Sequence, residues 1–334
     1  MGRLISIIMP FKNAAPYLEA CMESIIKQTE KNWELLAVND HSSDKSYEIV
    51  RYYAEKDNRI KIFNNKGDGI IPALQTGYEF AKGDMIHRMD ADDLMPERKL
   101  KLLSDQLVKV GRGNVVTGKV EYFAAKGVGE GYQQYENWLN TLCDNHSHWQ
   151  SIYKECVVAS PAWLVYKDDF EACGGFQSDI YPEDYDLVFR FYKTGYSVKA
   201  VPEVVHLWRD HPDRASRNHP HYKTNTFFEL KLHYFFELDR VENRPLVLWG
   251  AGPKGKLMAK LLKAGKQEFV WASNNPNKHG HDIYNQIMHS IDEIMQLRSP
   301  QILITIAQRN AQIEIRNYLD KYQLKEHQDY LFFS

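Results

Sequence analysis

Residues 85–98, MIHRMDADDLMPER, decide the fold of this chain because they join a buried strand, an acidic turn and the start of a helix. Residues Met85–Met89 are predicted to form a strand inside a parallel sheet. Three carboxylates follow within four residues, at Asp90, Asp92 and Asp93. Such a cluster repels itself unless a bound cation compensates the charge. The segment therefore predicts a cation site at the end of a strand, with a solvated surface loop as the alternative.

The sequence before this segment alternates between strand and helix patterns. Apolar runs at Leu4–Met9, Trp33–Val38 and Ile60–Phe63 are each followed by a helical period. This β-α-β-α-β order predicts a parallel, doubly wound sheet, in which ligands lie outside the carboxyl ends of the strands. Asp40 and Asp90 both follow a strand. We therefore expect the two acidic segments to meet in one crevice.

The sequence after this segment continues the α/β pattern to about residue 223. Strands are predicted at residues 114–123 and Ala159–Tyr166, and an amphipathic helix at Glu183–Gly195. Two short strands, Tyr196–Val201 and Val204–Trp208, are expected to follow. Residues 224–243 are predicted to form a helical linker.

At Pro245 the pattern starts again. Strand 246–249 leads into the glycine turn GAGPKG at residues 250–255 and then a helix, which predicts a small Rossmann-like α/β domain over residues 244–334. Further strands are expected at Phe269–Ala272, Gln301–Ile306 and Asp329–Phe333. The second strand ends without an acidic residue for a ribose. This domain is therefore either a nucleotide site or a packing and dimerisation unit.

Composition excludes several classes of protein. The 334 residues carry a formal net charge of -2, which argues against a broad nucleic-acid-binding face. The four cysteines show no metal-type spacing, as expected for reduced thiols in a cytoplasmic protein. No apolar run reaches the roughly 18 residues that span a bilayer. We therefore expect a cytoplasmic protein, with peripheral contact at the inner membrane face left open.

Several blocks together resemble family 2 glycosyltransferases. These are ISIIMPFKNAAPYLEACMESIIKQ, LLAVNDHSSD, GYEFAKGD, RMDADDLMPERK, GGF, PEDYDLVFRFYKTGY and WRDHPDRAS, which together span roughly residues 3–220. The resemblance implies a GT-A fold over residues 1–223, a nucleotide-diphosphate sugar as donor, and Mn²⁺ or Mg²⁺ as cofactor. The order of the blocks is specific, although no single block is.

The resemblance also implies site residues, position by position. Donor binding falls on Pro10, Phe11, Asn13, Asp40, Lys66, Arg88, Asp90 and Arg209. Metal binding falls on Asp92, Asp93 and His211, with His206 as the rival of His211. Asp184 matches the catalytic base, and Glu183 is expected to orient the acceptor.

Several of these residues, taken singly, are also typical of ordinary structural positions. Lys66 and Arg88 are equally typical of solvated charges, and Asp40 of a turn or helix cap. Asp184 could merely complement a helix dipole, and that dipole is expected to keep it ionised. Two departures from the family pattern, Lys12 for the usual Tyr and Asn39 for the first Asp of a pair, weaken the case for a uracil site.

The function that the family resemblance implies is a metal-assisted, inverting transfer of a sugar to a saccharide or lipid-linked saccharide. The expected donor is a UDP-sugar. Surface polysaccharide or glycoconjugate synthesis is the expected setting, and the second domain is a candidate for homo-oligomer contacts. A sugar-phosphate nucleotidyltransferase would need a glycine-rich loop after the first strand, and residues 10–16 lack one. A catalytically inactive nucleotide-sugar scaffold is the second alternative. NAD binding at the glycine turn is the third.

Overall fold

A computed structural model describes residues 3–125, 127–212, 214, 217 and 227–334 of the chain. The chain divides into two compact units. The first holds residues 1–149 and 157–223, and the second holds residues 150–156 and 224–334. Each unit has its own sheet.

The strands of the first unit alternate with helices over most of its length. Its strands are β1 Ile5–Phe11, β2 Trp33–Asn39, β3 Ile60–Asn64, β4 Met85–Arg88, β5 Asn114–Phe123, β6 Leu164–Tyr166 and β7 Ser197–Arg209. Its helices are α1 Ala15–Ile26, α2 Ser46–Lys56, α3 Ile70–Tyr78, α4 Lys99–Val110, α5 Glu130–Asn145, α6 Lys167–Ala172 and α7 Glu183–Lys193.

The described residues of the first unit form a sheet with strand order β3-β2-β1-β4-β6-β5-β7. Strands β3, β2, β1 and β4 are parallel, and the short β6 runs antiparallel to both its neighbours. All seven residues of β1 and of β2 are buried, as strands covered on both faces should be. The predicted mostly parallel, doubly wound sheet is therefore confirmed.

Two strands differ from the sequence prediction. The strand expected at Ala159–Tyr166 is only Leu164–Tyr166, because Pro161 lies in a turn closed by a hydrogen bond from Ala162 to Ala159. The two short strands expected before Arg209 are one strand, β7. Its pairing with β5 skips residues 202–203, where Pro202 has no N–H to donate.

The second unit is a five-stranded parallel sheet in the order β10-β9-β8-β11-β12. Its strands are β8 Leu246–Trp249, β9 Val270–Ala272, β10 Met288–His289, β11 Gln301–Ile304 and β12 Tyr330–Phe332. Its helices are α8 Phe228–Tyr234, α9 Pro253–Ala264, α10 Ile291–Ile294 and α11 Arg309–Asp320, and a π-helical turn continues α8 through Phe235–Asp239. Among the helices described in either unit, none is long and apolar enough to cross a membrane.

The glycine turn of the second unit joins β8 to α9, as its sequence predicted. Gly250 has a φ of +137°, and a Cβ on Gly255 would lie 2.0 Å from the Gly250 carbonyl oxygen. Gly252 differs from both, because a Cβ there would meet no atom within 4 Å. Two of the three glycines are therefore required by the fold of the turn itself.

We predict that Gly255→Ala lowers the stability of the second unit by about 1–3 kcal/mol, since the turn must open to admit the methyl group. The matched variant Gly252→Ala should change stability by less than about 0.5 kcal/mol. Differential scanning calorimetry of the full chain measures both. Equal effects of the two substitutions would contradict the proposed steric requirement at Gly255.

Candidate active site

The carboxyl ends of β1, β2 and β4 meet at one edge of the first sheet. β1 lies between the other two, with Phe11 aligned to Asn39 in β2 and Ile8 aligned to Arg88 in β4. The Asp40 amide donates to the Phe11 carbonyl at 2.8 Å, which fixes the end of β2 against the end of β1. Asp40 and Asp90 therefore follow strands that end on either side of β1.

Asp40 is 5% exposed and accepts hydrogen bonds from three donors. One oxygen accepts from Asn65 Nδ2 at 2.6 Å and from the Gly69 amide at 3.0 Å, and the other from Lys12 Nζ at 3.1 Å. Burial acts to raise the pKa of Asp40, but these hydrogen bonds outweigh it and hold the pKa below its usual value. Asp40 is therefore a buried carboxylate that stays charged at neutral pH.

Lys12 accounts for a second acidic cluster beside Asp40. Ligand atoms of Asp40, His41 and Asp68 all lie within 4.8 Å of one another, close enough for a cation. Lys12 Nζ lies 3.1 Å from Asp40 and 3.2 Å from Asp68, so an ammonium already pairs with both carboxylates of this cluster. We therefore assign the cluster to Lys12 rather than to a metal ion.

Three predicted donor-site residues shape this edge from the backbone side. Pro10 and Phe11 are buried within β1. Asn13 has a φ of +50°, and its side-chain oxygen accepts from the Ser43 amide at 2.8 Å. Asn13 thus ties the loop after β1 to the loop after β2. It does not cap α1, whose N-cap is Ala14.

Arg88, at the end of β4, connects the acidic turn to the start of α7. Its Nε donates to Asp90 at 3.1 Å and its Nη1 donates to Glu183 at 2.9 Å. Arg88 and Glu183 are both at least nine-tenths buried. Burial acts to lower the pKa of Arg88. The nearby carboxylates outweigh burial and raise the pKa above its usual value, so the guanidinium stays charged. Arg88 is thus an internal counter-ion of Asp90 and Glu183, and its contact with the donor stays a prediction.

The first turn of α7 carries the two carboxylates that were predicted to be catalytic. Glu183 Oε2 is buried and has no hydrogen-bond partner among the described residues. Asp184 accepts a 2.8 Å hydrogen bond from the Tyr185 amide. Burial, followed by the negative charge of Glu183, raises the pKa of Asp184 to about 7. The helix dipole therefore does not keep Asp184 fully ionised, contrary to our expectation, because burial and like charge outweigh it.

Asp92 and His211 meet although they come from segments 119 residues apart. His211 Nε2 lies 2.9 Å from Asp92 Oδ2, and the imidazole ring packs on Tyr17 with ring centroids 4.3 Å apart. Burial acts to raise the pKa of Asp92, but the hydrogen bond from His211 and the charge of Arg214 hold it below its usual value. Asp92 is therefore a charged carboxylate in direct contact with an imidazole.

This pair fits a divalent cation. Two ligands that occupy neighbouring positions of an octahedral ion at 2.0–2.1 Å lie about 3 Å apart, and the Asp92–His211 separation is 2.9 Å. Carboxylate oxygen suits Mg²⁺ and Mn²⁺, and neutral imidazole nitrogen is the commonest protein ligand of metal ions. Asp92 and His211 could therefore hold a divalent cation.

Asp93 and His206 occupy a different place from this pair. Asp93 is 1% exposed, and its two oxygens accept from the Arg209 amide at 2.7 Å and from His206 Nε2 at 2.9 Å. Burial and then the charges of its acidic neighbours raise the pKa of Asp93 well above its usual value. We therefore assign Asp93 to the support of the turn, which corrects the expectation that it shares the metal, and His206 pairs with it.

The last two predicted donor contacts also differ from each other. Arg209 Nε donates to the Asp92 carbonyl at 2.7 Å, and its guanidinium lies over the rings of Tyr17 and Phe123. It therefore borders the Asp92–His211 pair. Lys66 instead forms an ion pair with Glu79 on the exposed surface. That pairing leaves Lys66 outside the hydrogen-bonded groups of the site.

Two buried residues that the sequence analysis did not predict form hydrogen bonds with residues of the site. Asn65, which binds Asp40, follows β3 and is 5% exposed. A polar residue at a third strand end was a detectable signal. Lys99 is fully buried at the start of α4 and hydrogen-bonds His206. No local pattern separates Lys99 from an ordinary exposed helix lysine.

Comparison with known proteins gives a family match over the first half of the chain. The sequence model described as Glycosyl transferase family 2 matches residues 6–173. The chain is 35% identical over 129 residues to glycosyltransferase GlyG of Streptococcus pneumoniae, a match that covers 38% of this chain and 42% of GlyG. It is 26% identical over 242 residues to an uncharacterised glycosyltransferase of Haemophilus influenzae, covering 68% of this chain and 72% of that protein. The chain thus spans less than half of GlyG.

Two solved structures share the fold. TarS of S. aureus, solved in complex with UDP, aligns with a TM-score of 0.52 at 17% identity, covering 71% of this chain and 67% of TarS. The mannosyltransferase PcManGT of Pyrobaculum calidifontis, solved with GDP-Man and Mn²⁺, aligns with a TM-score of 0.53 at 20% identity, covering 73% of this chain and 66% of PcManGT. At these identities the likeness establishes the GT-A architecture alone.

Proposed function

Since this chain belongs to glycosyl transferase family 2, we propose that it moves a sugar from a nucleoside-diphosphate donor to an acceptor hydroxyl, with a divalent metal ion and with inversion at the anomeric carbon. The observation that carries the proposal is the Arg88 bridge. It brings Asp90 of the acidic turn and Glu183 of α7 to one guanidinium. The donor end and the base end of the reaction are thereby joined in one site.

We place the donor base beside Asp40 and the diphosphate beside Asp92 and His211. A charged, buried carboxylate suits the ring N–H of uracil, and a guanine N–H would satisfy it equally. Both bases occur among the structural relatives, since TarS was solved with UDP and UDP-GlcNAc and PcManGT with GDP-Man. We retain a UDP-sugar as the proposed donor and a saccharide or lipid-linked saccharide as the proposed acceptor, in surface polysaccharide or glycoconjugate synthesis.

In the proposed reaction, Asp184 is the general base. The acceptor hydroxyl must lose its proton as its oxygen bonds to the anomeric carbon, and a carboxylate with a pKa of about 7 both accepts that proton well and is substantially ionised near neutral pH. Glu183 Oε2 is buried and has no hydrogen-bond partner in the described part of the chain. It accepts a hydrogen bond from a second hydroxyl of the acceptor substrate and so orients that substrate. The metal, when bound, would neutralise the diphosphate as it leaves.

We predict that Asp184→Asn lowers turnover at least about 100-fold, because the acceptor proton loses its base, while donor affinity changes little. Turnover is measured with the nucleotide sugar that raises the melting temperature most in a thermal-shift panel. The matched control, Asp105→Asn, removes an exposed carboxylate that pairs only with Lys101 in the described part of the chain. Turnover at the wild-type rate in Asp184→Asn would remove it from the mechanism.

The raised pKa of Asp184 also predicts a pH dependence. A base works when it is ionised, so kcat/KM should rise with pH through about 7 and then level off. Glu183→Gln removes a negative charge that raises this pKa, so the rise should move to lower pH. The pH profiles of both enzymes provide the test, and an unmoved or higher midpoint in the variant would contradict the assigned cause.

A third prediction separates the two acidic clusters. Asp92→Asn should weaken Mn²⁺ binding at least about 10-fold, since it removes a carboxylate ligand. Asp68→Asn should leave Mn²⁺ affinity unchanged, because Asp68 pairs with Lys12 rather than with a metal ion. Isothermal titration calorimetry measures the Mn²⁺ affinity of both variants. The reverse pattern would place the metal beside Asp40 instead of Asp92.

A further inference from the structure

Three buried polar side chains, Lys99, His206 and Asp93, form a hydrogen-bonded network that ends at the acidic turn. Lys99 Nζ lies 3.1 Å from His206 Nδ1, and His206 Nε2 lies 2.9 Å from Asp93 Oδ2. Lys99 and His206 are 0% exposed, and Asp93 is 1% exposed. The reaction proposed above uses none of these three groups.

The hydrogen bonds among Lys99, His206 and Asp93 are all satisfied when donation runs from Lys99 towards an ionised Asp93. Lys99 donates to the Pro161 carbonyl at 2.6 Å and to His206 Nδ1, and an amine can serve both acceptors whether charged or neutral. In this arrangement His206 Nδ1 accepts from Lys99, and Nε2 carries the proton that meets Asp93. Lys99 thus fixes the tautomer with which His206 holds Asp93.

The acidic turn is fastened to β7 through this same carboxylate. The other Asp93 oxygen accepts from the Arg209 amide, and Arg209 Nε donates back to the Asp92 carbonyl. Next to them, Leu94 and Leu207 exchange two backbone hydrogen bonds of 3.1 Å. These contacts hold residues 92–94 along the last residues of β7.

His211 follows β7 by two residues, so this attachment sets where it stands relative to Asp92. We propose that Lys99 and His206 are positioning residues, which act through Asp93 to hold Asp92 and His211 at the spacing that a divalent cation requires. The inference rests on the metal site of the proposed function.

Packing alone does not account for the polar and ionisable side chains of this network. Burying ionisable groups is costly, and apolar side chains of similar volume commonly fill such positions without loss of stability. Residues that support metal ligands change metal affinity by about 10- to 100-fold when they are replaced. A positioning role therefore predicts an effect on the metal that is separate from any effect on stability.

The test is Mn²⁺ alone, titrated into the full chain and followed by the EPR signal of free Mn²⁺. Lys99→Met, which keeps the length of the side chain, and His206→Leu should each weaken Mn²⁺ binding about 10- to 100-fold. His206→Gln should recover most of that affinity, because its amide can still donate to Asp93. Lys231→Met is the control, since Lys231 is an equally buried lysine in the second unit with carbonyl partners.

A purely structural role predicts a different result. Lys99→Met and Lys231→Met would then both lower the melting temperature, and Mn²⁺ affinity would match wild type in each. That outcome, with Asp92→Asn having lost Mn²⁺, would overturn the positioning role and leave the metal site standing. A wild-type chain that binds no Mn²⁺ would overturn the metal site together with this inference.

Discussion

The buried guanidinium of Arg88 is the interaction on which the site depends. It bridges Asp90 and Glu183, which are 93 residues apart in sequence, and it is itself less than one-tenth exposed. Without this positive charge, the carboxylates at the start of α7 would face those of the acidic turn uncompensated. Breaking a buried ion pair of this kind typically costs about 3–5 kcal/mol. The start of α7, which carries the proposed base, is therefore fixed by the same charge that stabilises the turn after β4.

The charges at this edge of the sheet divide into groups with separate surroundings. Asp40 and Asp92 receive enough hydrogen bonds to stay ionised, and their pKa values lie below the usual value. Asp93 and Asp184 are dominated by burial, and their pKa values lie above it. Neighbouring carboxylates thus have environments suited to the different tasks proposed for them, with Asp40 and Asp92 charged and the pKa of Asp184 raised towards neutrality.

The sequence was sufficient where the fold follows from strand pattern. Strongly apolar segments identified β1 and β2, and the alternation of strands and helices identified β4. Parallel strands bring their carboxyl ends together, so the placement of Asp40 and Asp90 could be predicted. The glycine turn likewise identified β8 and α9. Long-range pairing could not be predicted, because nothing local to Arg88 or Lys66 shows that one meets two carboxylates and the other meets Glu79. The support of Asp93 by His206 depends on the register of β7, which sequence patterns leave open.

The central claim is that acidic residues from distant segments form one site for a nucleotide and its metal ion. The most direct measurement is an anomalous difference map from crystals of the full chain grown with Mn²⁺ and UDP. We expect one manganese peak contacted by Asp92 and His211, with the diphosphate next to it and the uracil against Asp40. Manganese at Asp40 and Asp68, or UDP bound only in the second unit, would contradict this claim.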